Sequence, residues 1–112
     1  MTPLLVALGG GVGAALRFVV ATRLDAPGRT VAAGTLLVNL VGSFVLGLLA
    51  GAAVRGDVLA LLGVGFCGGL TTYSSFAVQA AERGPRRGAT YAAATVLGAL
   101  AAASLGWWVG QA

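Results

Sequence analysis

The sequence predicts an all-α integral membrane protein: one domain of four transmembrane helices, the third broken near its centre. Three observations carry that reading. Hydrophobic residues make up 58% of the 112-residue chain and charged residues only 9%, against about 25% charged in ordinary soluble domains. The charged side chains gather at Arg17, Arg23, Asp25, Arg29, Arg55, Asp57, Glu82, Arg83, Arg86 and Arg87, which leaves four long apolar runs. Each run reaches the ~20 residues that cross a ~30 Å hydrocarbon core. In the third run, Gly68-Gly69-Leu70-Thr71-Thr72 places weak helix formers in mid-span. Lipid offers no hydrogen bonds, so irregular backbone at that depth survives only inside protein or beside a cavity. The segment is a candidate ion site.

The first run, Leu4–Thr22, does not read as a cleaved signal peptide, because Met1-Thr2-Pro3 brings no positive side chain before it. Arg17 lies near the end of this run. Its long side chain suits snorkelling to the interface, and equally an electropositive vestibule that concentrates anions. The second run, Thr30–Val54, carries Asn39. A buried amide is costly in hydrocarbon unless bonded. Asn39 therefore either bonds a neighbouring helix or turns its N–H donors toward an anion.

The third run, Val58–Ala81, holds Tyr73 and Phe76 just after the break. An aromatic ring has a negative face and a positive edge, so edges turned inward replace part of an anion's water without a full charge. Conduction needs such weak, multiple sites; ordinary aromatic packing is the competing reading. Thr72, Ser74 and Ser75 offer hydroxyl donors along a path, or bond their own backbone. The fourth run, Gly88–Gly110, ends at Trp107 and Trp108, placed as interfacial aromatics. Tyr91 and Thr95 share a face but Ser104 does not, so no polar track is predicted there.

With the N-terminus outside, Arg23, Arg29, Arg83, Arg86 and Arg87 are cytoplasmic and Arg55 alone is external. This positive-inside bias predicts both termini outside. The same placement makes the net charge of +4 an orienting device, and no nucleic-acid partner is expected. One cysteine and no histidine exclude a zinc-type cluster and a Ser/His or Cys/His nucleophile, and no carboxylate pair exists within a span. An enzyme is not expected. Gly63-x-Gly65-x-x-Gly68 matches the letters of a dinucleotide fingerprint without its βαβ setting. Small-xxx-small pairs at Gly9/Gly13, Gly47/Gly51, Gly65/Gly69 and Gly106/Gly110 support close helix packing. Four such helices bury one another only partly, so oligomerisation is expected.

Three segments together carry a resemblance. They are Gly9-Gly10-x-x-Gly13-Ala14-x-x-Arg17-Phe18, Gly34-Thr35-Leu36-x-Val38-Asn39-x-x-Gly42, and Gly65-Phe66-Cys67-Gly68-Gly69-Leu70-Thr71-Thr72-Tyr73-Ser74-Ser75-Phe76. In their order and spacing the chain resembles the fluoride channel family (Fluc/CrcB), small four-helix proteins of bacterial membranes. The resemblance implies a multi-pass inner-membrane protein and an antiparallel dimer with two fluoride pores. It also implies a structural sodium ion at the dimer interface, on the backbone carbonyls of Gly68 and Thr71. It assigns Asn39, Phe76 and Tyr73 to the pore, although Tyr73 departs from the family's usual phenylalanine and adds a hydroxyl.

The expected function is passive export of fluoride from the cytoplasm, with no nucleotide or redox cofactor. A homodimer inserted both ways should have balanced loop charges. The bias here predicts one preferred orientation and pairing with an oppositely biased homologue. Two rivals stand beside the channel. A small multidrug transporter needs a membrane-embedded carboxylate, and Glu82 only borders a loop; a membrane scaffold needs neither Asn39 nor the glycine-threonine break.

Overall fold

The computed structural model describes residues 2–26 and 28–112. Four segments are long and apolar enough to cross a membrane: Thr2–Leu24, Ala33–Gly51, Gly56–Glu82 and Gly84–Gln111. Three are continuous helices, α1 (Thr2–Leu24), α2 (Ala33–Gly51) and α6 (Gly84–Gln111). The third span is composite. It runs through α3 (Gly56–Val58), a π-helix (Leu59–Cys67) and α4 (Gly68–Leu70), unwinds over 71–73, and resumes as α5 (Ser74–Glu82). The all-α architecture with an interrupted third span is therefore the observed one.

The interruption has moved slightly. The glycines expected to loosen the backbone stay helical, and the chain unwinds at Thr71, which is extended at φ −83° and ψ 157°. Gly69 serves packing instead, against the backbone of Gly10, as do glycines of the other spans. Helix α1 lies along the π-helix and α4, while α2 lies along α6. A Cβ on Gly9 or Gly13 would strike the carbonyl oxygens of Leu61 and Phe66, and one on Gly65 would sit 2.8 Å from that of Val6. In the other seam Gly47 and Gly51 meet the backbone of Ala103 and Trp107, and Gly106 and Gly110 meet Phe44 and Leu48. The small-residue pairs thus build seams inside one chain, where backbones approach too closely for any side chain.

The ends of α2 are closed by different means. At its C-terminus Ala53 takes the left-handed conformation, φ 57°. Its N–H donates to the Ala50 carbonyl at 3.1 Å, and that of Val54 to the Leu49 carbonyl at 3.0 Å. This is the Schellman closure, with alanine at the position usually held by glycine. At the N-terminus Ala32 supplies no side-chain cap; Asp25, from the end of the preceding helix, does so. Gly84 at φ 81° turns the chain from α5 into α6.

The molecule measures 42 × 29 × 19 Å, and its long axis matches a bilayer with its headgroup regions, about 40–45 Å. The largest fully buried side chains are Tyr91 and Thr35, both polar at the tip. Val12, Phe18, Leu97, Leu100 and Trp108 point outward. Such an apolar exterior is the face that lipid or a second chain covers.

Candidate functional site

The site is built on the unwound link of the third span. Once Thr71 leaves helical geometry, the next N–H groups and the preceding carbonyls lose their helical partners. Asn39 on α2 replaces them for one residue. The Thr72 N–H donates to Asn39 Oδ1 at 2.8 Å, and Asn39 Nδ2 donates to the Thr72 carbonyl at 3.2 Å. The amide thereby imitates a strand partner, and both residues are buried. Thr71 Oγ1 folds back to the Cys67 carbonyl at 2.8 Å, and the Ser75 N–H donates to Thr72 Oγ1 at 3.1 Å, which caps α5. Of Asn39's two amide hydrogens, one is used by Thr72; among the described residues the other meets no acceptor.

Beside this link lies a cavity of about 300 Å³, lined by Asn39, Thr72, Tyr73, Phe76 and Thr95 among others. Phe76 stands between two tyrosines, its ring centroid 6.0 Å from Tyr73 and 5.4 Å from Tyr91, with interplanar angles of 58° and 55°. Tilted pairs set ring edges against faces. Tyr73 is 80% exposed, so it borders the cavity from outside the protomer's core. Thr95 is 5% exposed, and among the described residues its Oγ1 has no hydrogen-bond partner. A buried hydroxyl left unbonded costs about 1–3 kcal/mol.

A polar chain leads away from the cavity. Tyr91 Oη donates to Gln79 Oε1 at 3.0 Å, and Gln79 Nε2 donates to Asp25 Oδ2 at 3.2 Å. Asp25 also accepts from the Gly34 N–H at 2.7 Å, the Thr35 N–H at 3.0 Å and Thr35 Oγ1 at 2.8 Å. The carboxylate sits where the positive end of the α2 dipole favours it. The chain ends in an open cleft of about 440 Å³, lined by Asp25, Arg29, Gln79, Glu82, Arg83 and Arg87 among others.

The expected residues fall into separate places. Asn39, Thr72, Tyr73 and Phe76 meet at one cavity. Ser74 and Ser75 are exposed on the first turn of α5 and face another recess, with Val78 and Gln79. Gly68 and Thr71 line a third groove, of about 320 Å³, with Gly42, Ser43 and Gly63. Arg17 is half-buried on α1 and does not line the arginine cleft. Sequence reasoning missed Asp25 and Gln79, and set aside Thr95. The signals were present: α2 begins after an alanine with no local cap, and Gln79 is an amide inside an apolar run.

Two carbonyls at the break lose their usual helical donors. The Thr72 N–H that would close on the Gly68 carbonyl is turned to Asn39, and the Ser75 N–H that would close on Thr71 is turned to the Thr72 hydroxyl. A Cβ on Gly68 would meet nothing within 4 Å, and Gly68 and Thr71 both line the third groove. Backbone carbonyl oxygens are the kind of ligand that a hard cation takes.

Comparison with known proteins bears on the same segments. The chain matches the model of the family described as CrcB-like protein, Camphor Resistance (CrcB), over residues 4–108. It is 47% identical over 111 residues to a protein of Rhodococcus jostii (strain RHA1) named fluoride-specific ion channel FluC 2, with 96% of each chain covered. A Halobacterium salinarum protein named fluoride-specific ion channel FluC 1 is 44% identical over 108 residues, covering 92% of this chain and 88% of that one. A Yersinia pseudotuberculosis protein, also named FluC 1, is 40% identical over 101 residues, covering 86% and 80%. With four spanning segments and relatives named as channels, this is a multi-pass membrane protein. On that match and those identities, the chain belongs to the CrcB-like family.

Proposed function

We propose that this chain is a fluoride-selective passive channel, through which cytoplasmic fluoride leaves down its electrochemical gradient. The relatives' name supplies the ion. The observation that carries the site is the cavity lined by Asn39 and Thr95: among the described residues Asn39 keeps one N–H uncommitted and the Thr95 hydroxyl has no hydrogen-bond partner. A small, strongly hydrated anion needs donors to replace its water, and these two are already desolvated. The edges of Phe76 and Tyr73 add weak positive potential without a full charge, which keeps binding loose enough for exit. Thr72 spends its hydroxyl on α5 and shapes the wall. Ser74 and Ser75 lie on the positive N-terminal end of α5, along a second stretch of the path. A multidrug exchanger is disfavoured because no carboxylate lines the cavity.

Two copies in antiparallel orientation would bring their Gly68 and Thr71 carbonyls together near the bilayer midplane. A structural sodium ion there supplies the fixed positive charge that those oxygens balance. Replacing sodium by N-methyl-D-glucamine should dissociate the dimer in detergent, and a dimer indifferent to that exchange refutes the ion. The loop arginines favour termini on the outside of the cell's inner membrane and an oppositely inserted homologue as partner. Equal labelling of loop cysteines from both sides, in a chain that conducts alone, would defeat that pairing.

The test of the function is fluoride efflux from liposomes containing the purified chain, with chloride as comparison ion and Asn39→Ala as control. Fluoride-specific flux lost in the variant is expected. Well-folded protein that passes no fluoride, alone or with its oppositely biased homologue, overturns the reading.

A further inference from the structure

We infer that Arg83 is an anion-capture residue, whose guanidinium binds fluoride in the arginine cleft before the ion reaches the Phe76–Thr95 cavity. Arg83 Nη1 donates to the Gln79 carbonyl at 2.9 Å and Nε to the Arg29 carbonyl at 3.1 Å. Its central carbon lies 5.0 Å from the centroid of the Tyr91 ring. These contacts hold the group in place without neutralising it, because carbonyls carry no net charge. A guanidinium has five N–H donors; two are spent, and three remain for an anion. A group fixed in advance binds without the cost of ordering a long side chain.

The surroundings favour an anion. Arg87 is tethered in the same manner, Nη1 to the Gly28 carbonyl at 3.0 Å, and Arg29 completes the basic lining. Two carboxylates face the same cleft, Asp25 and Glu82. Both Asp25 oxygens are engaged, by the first N–H groups of α2, the Thr35 hydroxyl and the Gln79 amide. Glu82 is exposed, where water screens it. Packed side chains link the cleft to the cavity: Arg83 lies over Tyr91, and Tyr91 packs on Phe76 at the cavity wall. The cation–π contact keeps the positive group against the aromatic path. Nothing in this arrangement was legible at Arg17, which sits elsewhere on α1.

This inference deepens the channel reading and rests on it, so its test separates the two. Flux is measured for Arg83→Gln, which removes the charge, and Arg83→Lys, which keeps the charge but loses the planar fork. At about 10 mM salt, where the Debye length is ~30 Å, Arg83→Gln should lower fluoride flux; at about 1 M, where it is ~3 Å, the deficit should vanish. The expected loss is about three- to tenfold, with Arg83→Lys retaining most of the flux. Equal losses in both variants at every ionic strength mean a structural staple and overturn the inference. A second readout does not need conduction. In ¹⁵N-arginine-labelled protein in micelles, sodium fluoride titrated at constant low ionic strength should shift the Arg83 Nε–H resonance saturably. Flux without that shift refutes capture at Arg83 alone; the shift without flux, alone or with the oppositely biased homologue, supports capture and refutes the channel.

Discussion

Replacing Thr95 by valine keeps the shape of the side chain and removes only its hydroxyl. Among the described residues that buried hydroxyl has no hydrogen-bond partner, so its loss should cost little internal hydrogen bonding. Relief from an unsatisfied buried group is worth about 1 kcal/mol, and the variant should be at least as stable as the parent. Conduction should respond in the opposite direction. A hydrogen bond to a charged partner contributes about 1.5–3 kcal/mol, which at the barrier corresponds to roughly 10- to 150-fold in rate. Fluoride efflux from liposomes reads the second quantity, and unfolding in mixed micelles the first. Thr95→Ser, which keeps the donor, should preserve flux. A Thr95→Val protein that is destabilised by more than about 1 kcal/mol yet conducts fluoride normally refutes the reasoning, because the hydroxyl would then serve the fold.

Two further substitutions test the frame around the site. Asp25→Ala removes the acceptor of the first α2 N–H groups and should cost about 1–2 kcal/mol, with Asp25→Asn recovering part; chemical denaturation in detergent checks this, and no change refutes the remote cap. Ala53→Gly should stabilise the protein by about 1 kcal/mol, since alanine now holds a left-handed φ of 57° that glycine adopts without strain; a lower unfolding midpoint would contradict the Schellman assignment.

Much of the site was legible because hydrocarbon punishes exceptions. Asn39 and the Thr71-Thr72 pair stood out against apolar runs, and the structure joins them through two hydrogen bonds. Asn39 was readable as a bonded amide or as an anion donor; with one N–H spent and one free, the geometry accommodates both. The glycines were read less well. Gly68 and Gly69 looked like the break, but both stay helical, and of the two only Gly69 packs against another backbone, that of Gly10. Glycine there is selected by distance, as Gly65 against Val6 shows. Asp25 was counted only as a loop charge, because its partners Gly34, Thr35 and Gln79 lie up to 54 residues away.

Membrane residence, the number of spans and the presence of a break in the third were readable from the chain alone, since each follows from how apolar and polar groups are spaced along one dimension. Only the tertiary structure decided which donors were used up and which were left. Thr72 spends its N–H on Asn39, Tyr91 spends its hydroxyl on Gln79, and Thr95 keeps its own unspent. Hydrogen bonding is a pairwise quantity that depends on distances between segments remote in the chain. No single residue's identity contains it.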